Sequence, residues 1–413
     1  MGRAMSDASD LVAADRAAVV AALTAAVDAG DDILLVAHVN PDGDSLGSAL
    51  ALALALRTLG ARPQVSFDAE PFAVPRTLRF LAGQELLVDP AAITARPGLV
   101  VCLDAASRSR LGRLARIAAG SRMIVVDHHA SNTRFGDLNL VDGEAASTSA
   151  MVVGLIDALG VSLDADLAAA IYTGLVTDTG SFRFAATTPA VHRLAARLLA
   201  TGIRHDLISR ALWDTHPFGY LKLLGEVLGR ARLEPEHDLT WTWCGQGDLR
   251  AAGLDYDEIE GFIDTLRTAS EAEVALICKQ DDGVWKVSVR SKGSVDVGAL
   301  CAGLGGGGHR LAAGFVTSAE LTELMDTVRA ALARAPRLAD PAGGGLTGPD
   351  AAAGRACAPA PAPAPASTPA PASTPAPDPA SSPTSNPASN PTPHLAAAPG
   401  QDRAGRGPAV SVR

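Results

Sequence analysis

The chain has 413 residues, of which 47% are hydrophobic and only 4% aromatic, and its formal net charge is −10. Proteins that grip long duplex nucleic acid usually carry a strongly basic surface, so the acidic balance argues against that class. It stays compatible with a small anionic substrate, because bound divalent cations invert the local field. The five cysteines form no Cys-x-x-Cys pair, which argues against a disulfide scaffold or a thiolate zinc site and favours a cytoplasmic protein.

Neither a targeting segment nor a membrane span is expected. The N-terminus lacks the basic start and apolar core of a signal peptide. The most apolar run, residues 46–59, is too short to cross a bilayer. We therefore expect no membrane among the partners.

In chain order, the first 200 residues alternate between strand-like and helix-like stretches. Short β-branched apolar runs predict three buried parallel strands, at residues 33–37, 99–103 and 123–126. Ala/Leu-rich stretches predict helices at 46–59 and 111–119. Each predicted strand ends in a polar cluster: HVNPDGDS, DAASRS or DHHASN. The repetition predicts an α/β domain with a parallel sheet over residues 1–200, which binds ligands beyond the carboxyl ends of its strands.

The pattern then becomes helical, and residues 201–231 are predicted to form a helical connector. Strand-like runs return, and they define a second, smaller α/β domain over residues 232–338. Its predicted strands are 239–243, 273–279 and 284–290, and its predicted helices are 256–269 and 321–332.

Proline marks the last boundary. Of the 27 prolines, 17 follow Asp340, in a segment with almost no large apolar residues. Such a composition cannot bury enough surface to offset the entropy of ordering the chain. Residues 339–413 are therefore expected to form a disordered tail, either a passive solubilising segment or a docking segment.

The polar clusters carry the residues with chemistry. His38, Asp42 and Asp44 lie within seven residues of one another, and carboxylates with one or two imidazoles suit Mn²⁺ or Mg²⁺. Asp104 and Asp178 end a predicted strand and a helical stretch. Taken singly, Asp104 and Asp178 are better explained as a turn residue or a helix cap, and the loop with Asp42 and Asp44 has an acidic turn with a helix cap as its alternative.

The triplet Asp127-His128-His129 is harder to explain as a turn. Adjacent histidines in an extended segment point to opposite sides, so we expect one to bind metal and the other to face the substrate. The residues alone do not decide which, and Asp127 is expected to orient an imidazole from behind. Two histidines and four aspartates together match a two-ion site that generates hydroxide and stabilises displacement at phosphorus.

These motifs resemble those of the DHH-family phosphoesterases of the RecJ-like superfamily. HVNPDGDS, VVCLDAA, VVDHHAS and GLVTDTGSF occur in the family's order, and SVRSKGSVDVGAL with GGGGHRLAAGF resembles the DHH-associated C-terminal domain. The resemblance implies two divalent ions, Mn²⁺ first, with Mg²⁺ or Co²⁺ as alternatives. It implies one ion among His38, Asp42 and Asp104. The second ion would lie among Asp44, Asp104, His128 and Asp178.

The resemblance also implies the catalytic roles. Asp104 would bridge the two ions, and a bridging water or hydroxide would be the nucleophile. His129 would face the scissile phosphate, where it would stabilise charge or assist the leaving group.

A glycine-rich stretch before His309 suggests a phosphate cradle, although it lacks the GKS/GKT ending of a triphosphate-binding loop and a flexible turn is the alternative. The resemblance favours substrate binding in this part of the chain. The residues that it implies are Arg290, Ser291, Gly306, Gly307, Gly308 and His309. Arg290 suits a phosphate through its forked donors.

The compact two-domain form resembles NrnA-type enzymes. This implies degradation of short oligoribonucleotides, such as the dinucleotide pApA, to mononucleotides, and dephosphorylation of 3′-phosphoadenosine 5′-phosphate (PAP) to AMP, by a likewise implied homodimer. The acidic charge and the scarcity of aromatics fit a short substrate rather than a long strand. The alternatives are a phosphodiesterase for cyclic di-AMP or linear di-adenylate, an inorganic pyrophosphatase, and a non-catalytic nucleotide-binding protein.

Overall fold

The structure, a computed structural model, describes residues 2–338, and the tail expected at residues 339–413 lies outside the described residues. A parallel five-stranded sheet, sheet A, organises the first part of the chain in the order β2-β1-β3-β4-β5. Its strands are β1 (Ile33–Val36), β2 (Pro63–Ser66), β3 (Leu99–Leu103), β4 (Arg122–Asp127) and β5 (Leu138–Val141). The three central strands are those predicted from the apolar runs.

Helices cover sheet A and complete its core. They are α1 (Gly2–Ala29), α2 (Gly43–Thr58), α3 (Leu114–Ile117), α4 (Thr148–Ala158) and α5 (Ala165–Asp178). Helix α2 is buried from its first residue to Leu56 and crosses α5 closely. A Cβ at Gly47 would lie 2.5 Å from the Ala170 carbonyl oxygen, so this crossing requires glycine.

The helix predicted at 111–119 is only partly present. A short 3₁₀ turn precedes the single turn of α3, because Gly112 adopts a left-handed backbone with φ 54°. The next N–H, that of Arg113, donates to the Asp68 carboxylate at 2.7 Å instead of to a helical carbonyl.

Three helices follow: α6 (Pro189–Leu199), α7 (His205–Trp213) and α8 (Phe218–Gly229). Their buried faces belong to two different cores. Leu198 of α6 and Leu212 of α7 pack into the core of sheet A, whereas Leu223 and Val227 of α8 pack under the second sheet. The helical stretch therefore passes from one core to the other between α7 and α8.

The second sheet, sheet B, has six strands in the order β10-β11-β9-β8-β7-β6, and only β7 and β8 are parallel. Its strands are β6 (Arg232–Glu234), β7 (Leu239–Cys244), β8 (Val274–Asp281), β9 (Val284–Ser291), β10 (Gly307–His309) and β11 (Ala312–Thr317). Helices on its two faces are α9 (Gln246–Ala252), α10 (Phe262–Leu266), α11 (Val297–Gly303) and α12 (Leu321–Leu332).

The helix predicted at 256–269 is divided into a 3₁₀ turn and α10 around Gly261. Among residues 2–338 there is no helix with the length and apolar character needed to cross a bilayer.

Candidate metal centre

The carboxyl ends of β1, β3 and β4 converge, and the structure brings the six predicted metal ligands together there. In the first group, His38 Nε2 lies 3.6 Å from Asp42 Oδ2 and 3.6 Å from Asp104 Oδ2. His38 Nδ1 lies 2.8 Å from its neighbour's carbonyl oxygen, that of Val39. A ring that donates to this carbonyl presents an unprotonated Nε2 to the two carboxylates, which is the tautomer that a cation requires.

The second group surrounds His128. Its Nε2 lies 3.0 Å from Asp178 Oδ2, 3.5 Å from Asp104 Oδ1 and 4.0 Å from Asp44 Oδ2. This nitrogen is buried and makes no hydrogen bond of acceptable geometry with any described residue. A buried polar atom without a partner destabilises a fold unless something occupies the space beside it. A divalent cation among these nitrogen and oxygen donors fits that space.

Asp104 belongs to both groups. Its Oδ2 faces His38 and its Oδ1 faces His128, which is the arrangement of a bridging carboxylate. The residue has φ 59°, in the left-handed region that non-glycine residues rarely adopt. Such strain is retained at sites where the surrounding structure fixes a functional geometry.

Asp42 both caps a helix and faces His38. Its Oδ1 accepts the N–H groups of Asp44 and Ser45, at 3.1 and 2.9 Å, and so caps α2. Its Oδ2 is the oxygen that faces His38. Capping therefore fixes the carboxylate in the orientation that the site needs.

The N-terminus of α4 orients two of the aspartates, which the sequence analysis missed. The two oxygens of Asp44 accept the N–H groups of Thr148 and Ser149, at 2.6 and 2.8 Å. The Thr148 hydroxyl donates to Asp104 Oδ1 at 2.9 Å. Ser147 caps α4 through the N–H of Ala150, and this capping signal was the available clue in the sequence.

The site concentrates negative charge away from water. Burial, followed by the charges of Asp44, Asp42 and Asp178, raises the pKa of Asp104 well above its ordinary value. Burial and Asp44 raise the pKa of Asp178 to about 8. Burial alone would lower the pKa of His128, but the Asp178, Asp44 and Asp104 carboxylates raise it to about 11. Cations bound among these groups would neutralise the repulsion.

His129 is the imidazole that Asp127 contacts. Asp127 is fully buried, and its Oδ1 accepts from His129 Nδ1 at 2.7 Å. Its Oδ2 accepts from the Asn132 amide at 2.6 Å, a partner that the sequence analysis did not identify. Burial opposes ionisation, but the bonds from His129 and Asn132 lower the pKa of Asp127. The carboxylate thus fixes Nδ1 as the protonated nitrogen and leaves Nε2 for a ligand.

Sheet B contributes His309 to the same place. The His309 ring stacks on His129 with centroids 4.2 Å apart and lies 5.0 Å from the His128 ring. His309 pairs with Ala312, which pairs with Arg290, so His309 and Arg290 share one face of sheet B. Arg290 is therefore two strands away from His309, about 10 Å at the usual strand spacing.

Ser291 points to the opposite face of sheet B, since neighbouring residues of a strand alternate. It is 1% exposed, and its hydroxyl donates to Glu273 Oε1 at 2.7 Å. The Ser291 hydroxyl oxygen in turn accepts the N–H groups of Gly293 and Val295, both at 3.2 Å. Its donor is therefore used inside the second domain, and the structure does not bring it to the metal centre.

Of the glycines before His309, Gly307 and Gly308 belong to the hairpin strand β10, and Gly306 directly precedes it. A Cβ at Gly306 would collide with the Gly314 carbonyl oxygen, and one at Gly308, where φ is 141°, would lie 2.6 Å from the Ala312 carbonyl oxygen. Gly307 has open space where its Cβ would be. Two of the three glycines are thus required by strand packing, and Gly307 is the one with an open face.

Comparisons with known proteins agree with this geometry. Residues 32–175 match the N-terminal domain of the DHH family, and residues 248–334 match the DHHA1 domain. The chain is 38% identical over 283 residues to the bifunctional oligoribonuclease and PAP phosphatase NrnA of Thermus thermophilus, covering 68% of this chain and 83% of the relative. It is 29% identical to NrnA of Bacillus subtilis, covering 69% and 88%.

A solved structure shows the same fold. The crystal structure of an exopolyphosphatase-related protein from Bacteroides fragilis superposes with a TM-score of 0.69 at 26% identity, covering 77% of this chain and 96% of that one. The chain therefore belongs to the DHH family of phosphoesterases and carries its DHHA1 domain.

Proposed function

We propose that this chain hydrolyses short oligoribonucleotides, including dinucleotides such as pApA, to mononucleotides and dephosphorylates PAP to AMP. The observation that carries the proposal is the buried His128 Nε2, which lies within 4.0 Å of three carboxylates, beside the first group around His38. The NrnA relatives named above support the choice of substrates.

In this proposal the two groups hold two divalent cations. His38, Asp42 and Asp104 would hold one, and Asp44, Asp104, His128 and Asp178 the other. Mn²⁺ suits the mixture of carboxylate and imidazole donors best, with Mg²⁺ and Co²⁺ as alternatives. When bound, the ions would activate a water and offset the charge that develops on the phosphoryl oxygens.

The chain's own residues orient the reacting groups. Asp127 holds His129 Nδ1, so that Nε2 is the nitrogen left for the substrate. In the doubly protonated ring, whose positive charge the Asp127 carboxylate balances, Nε2 would donate to the phosphate or the leaving oxygen. The N–H groups at the start of α4 keep Asp44 oriented. We propose that His309, Arg290 and the open face of Gly307 contact the substrate from sheet B, whereas the buried Ser291 contributes only to the packing.

We also propose the division into a DHH domain (1–200), a connector (201–231) and a substrate-binding domain (232–338), in a cytoplasmic homodimer. The matched family segments, residues 32–175 and 248–334, lie inside the two proposed domains.

A substrate panel tests the function. The full chain, loaded with Mn²⁺, is expected to release AMP from pApA and from PAP, and chelation with EDTA should stop both reactions. If the protein hydrolyses neither pApA nor PAP, the proposal is refuted. Turnover of pyrophosphate above that of pApA would instead indicate a pyrophosphatase, and turnover of cyclic di-AMP would extend the substrates to cyclic dinucleotides.

A further inference from the structure

We propose that Arg76 is a positioning residue that fastens the part of the chain around sheet B to the part that carries the metal centre. The inference rests on the proposed function and adds a residue that lies outside both the metal centre and the glycine hairpin. Arg76 would set the distance between the metal centre and the substrate contacts proposed for His309 and Arg290.

The chain passes from one core to the other over four residues. Helix α7 packs through Leu212 into the core of sheet A, whereas α8 packs through Val227 under sheet B. Residues 214–217, which we call the linker, lie between these two helices. The linker joins a metal lobe, residues 2–213, to a sheet B lobe, residues 218–338.

Arg76 binds the linker itself. Its Nη1 donates to the Thr215 carbonyl oxygen at 2.7 Å and to the Thr215 hydroxyl oxygen at 2.8 Å. Its Nη2 lies 3.4 Å from His216 Nδ1, and the His216 ring stacks on Tyr220 of α8 with centroids 3.8 Å apart. These bonds fix the backbone angles of the linker, where a rotation of one lobe relative to the other would have to take place.

The same guanidinium group reaches the sheet B lobe. Its Nε donates to Glu258 Oε1 at 3.0 Å, and the two side chains are only 29% and 19% exposed. Among the described side chains, Arg76 and Glu258 form the one ion pair that joins the two lobes. Glu258 Oε2 is buried and makes no hydrogen bond with a described residue, so this carboxylate depends on Arg76 for its compensating charge.

Both ends of the ion pair are anchored in a core. Arg76 begins a 3₁₀ turn whose Leu78 is 2% exposed in the core of sheet A. Glu258 lies in the 3₁₀ turn before α10, next to Ile259, which is fully buried in the core under sheet B. Because neither turn can shift without opening a cavity, a movement that separates the lobes must break the pair.

The placement of the sheet B lobe matters because it completes the site from outside the metal lobe. The His309 ring meets His129 with centroids 4.2 Å apart, and Arg290 lies on the same face of sheet B. Domains of one chain move relative to each other unless a large apolar interface holds them. Without Arg76, a smaller fraction of molecules would hold the assembled site, and the apparent affinity for substrate falls in proportion to that fraction.

Matched variants of one turn test the role by steady-state kinetics with Mn²⁺ and pApA. Arg76→Gln should raise KM about 5-fold or more and leave kcat within about 2-fold of wild type, because saturating substrate restores the assembled site. Arg76→Lys keeps the charge but lacks the fork that binds the linker and Glu258 together, so its KM should lie between those two values. The control is Arg79→Gln, which should leave KM unchanged. It removes the same charge at the end of the same turn, where Nε donates to the Val74 carbonyl oxygen inside the metal lobe.

A distance measurement tests the role without turnover. In the full chain with Cys357→Ser, spin labels on Ala25→Cys and Thr322→Cys would report the distance between the metal lobe and the sheet B lobe. Both labelled positions are exposed, and the four other cysteines are buried and stay unlabelled. Pulsed electron paramagnetic resonance in EDTA, free of paramagnetic Mn²⁺, gives the distribution of this distance.

The same variants have distinct expected distances. Arg76→Gln should add a longer component to the distribution. Glu258→Gln, which keeps the shape of its side chain and weakens the same pair from the other lobe, should do so too. Arg79→Gln should match the protein without these substitutions.

The outcomes separate the inference from the function. If pApA is hydrolysed and Arg76→Gln has the KM of the wild type, the inference is overturned while the proposed function stands. If neither pApA nor PAP is hydrolysed, the proposed function fails and the distances decide. A longer component in both Arg76→Gln and Glu258→Gln then supports the inference, and a distribution in Arg76→Gln equal to that of the unsubstituted protein overturns it in either case.

Discussion

Asp104 turns one carboxylate oxygen toward His38 and the other toward His128, so one substitution tests both proposed cation positions. Asn is the sharpest change, because it keeps the acceptor for Thr148 and tolerates the left-handed backbone. We expect Asp104→Asn to lower kcat/KM by well over 100-fold, since even residues that only orient a ligand contribute 10- to 100-fold.

The same variant has an opposite expected effect on stability. In EDTA, it should melt at a higher temperature than the wild type, because it removes a carboxyl group whose ionisation is opposed by burial and by three neighbouring aspartates. Substantial turnover by Asp104→Asn would contradict the bridging role, and a lower melting temperature in EDTA would contradict the charge repulsion.

Asp127 offers a separate test, since its carboxylate forms hydrogen bonds with His129 and Asn132. We expect Asp127→Asn to lower kcat by about 10- to 100-fold, because an amide in this position no longer fixes the protonated nitrogen of His129. Metal content, measured by elemental analysis, should stay at the wild-type value. Loss of bound metal in this variant would show that Asp127 acts on the cations instead of on His129.

At the residue scale, sequence reasoning identified the side chains that stand within the sequence motifs. It missed the side chains whose role depends on contacts that form only when the chain folds. The aspartates and histidines of the strand ends were predictable because each follows an apolar run. Thr148 and Asn132 were not, because their partners, Asp104 and Asp127, are distant in sequence or reached around a turn. The stacking of His309 on His129 depends on how two sheets meet, which no local pattern encodes.

The β10–β11 hairpin is the element whose glycines have separable roles. Gly306→Ala should destabilise the protein by about 1–3 kcal/mol, because the added methyl group collides with the Gly314 carbonyl oxygen. Gly307→Ala should change the free energy of unfolding by less than about 0.5 kcal/mol, since its Cβ meets open space. Chemical denaturation measures both.

Activity then tests the substrate contact proposed for Gly307. If the open face of Gly307 touches the phosphate, Gly307→Ala lowers kcat/KM while the stability stays that of the wild type. If Gly307→Ala is as active as the wild type, the proposed contact between Gly307 and the substrate is wrong, and this glycine serves only the backbone of the hairpin.

Two strands that the sequence analysis missed share one physical reason. Strands β2 and β5 are the two edges of sheet A, and each contains polar residues in place of a continuous apolar run. The central strands, buried on both faces, were predictable from their apolar runs. Strand β10 was missed because glycine has little strand propensity, and here tertiary packing against β11 decides.

At the scale of the whole molecule, the buried charges make stability depend on pH when metal is absent. The pKa of Asp178 rises from 3.8 to about 8 and that of His128 from 6.5 to about 11, so the folded state binds more protons than the unfolded chain. The stabilisation is complete below the unfolded pKa values and is lost as pH rises through the folded ones. In EDTA, we expect the melting temperature to fall by roughly 5 °C between pH 5.5 and 8.5.

Two comparisons isolate the cause of this pH dependence. Saturating Mn²⁺ should reduce or reverse the fall in melting temperature between pH 5.5 and 8.5, because cations bind the deprotonated ligands. Asp178→Asn in EDTA should flatten the profile, because it lacks the carboxyl group that titrates. A melting temperature in EDTA that rises over this pH range would contradict the raised pKa values.

The contact between His129 and His309 has a consequence for how a phosphate can be held. Rings whose centroids are 4.2 Å apart touch face to face, and a phosphoryl group does not fit between them. Imidazole nitrogens form hydrogen bonds in the plane of the ring, so a phosphate that contacts both rings must lie at their edges. The stack thus sets two nitrogens, one from the end of β4 and one from the β10–β11 hairpin, at a separation that a single phosphate group can span.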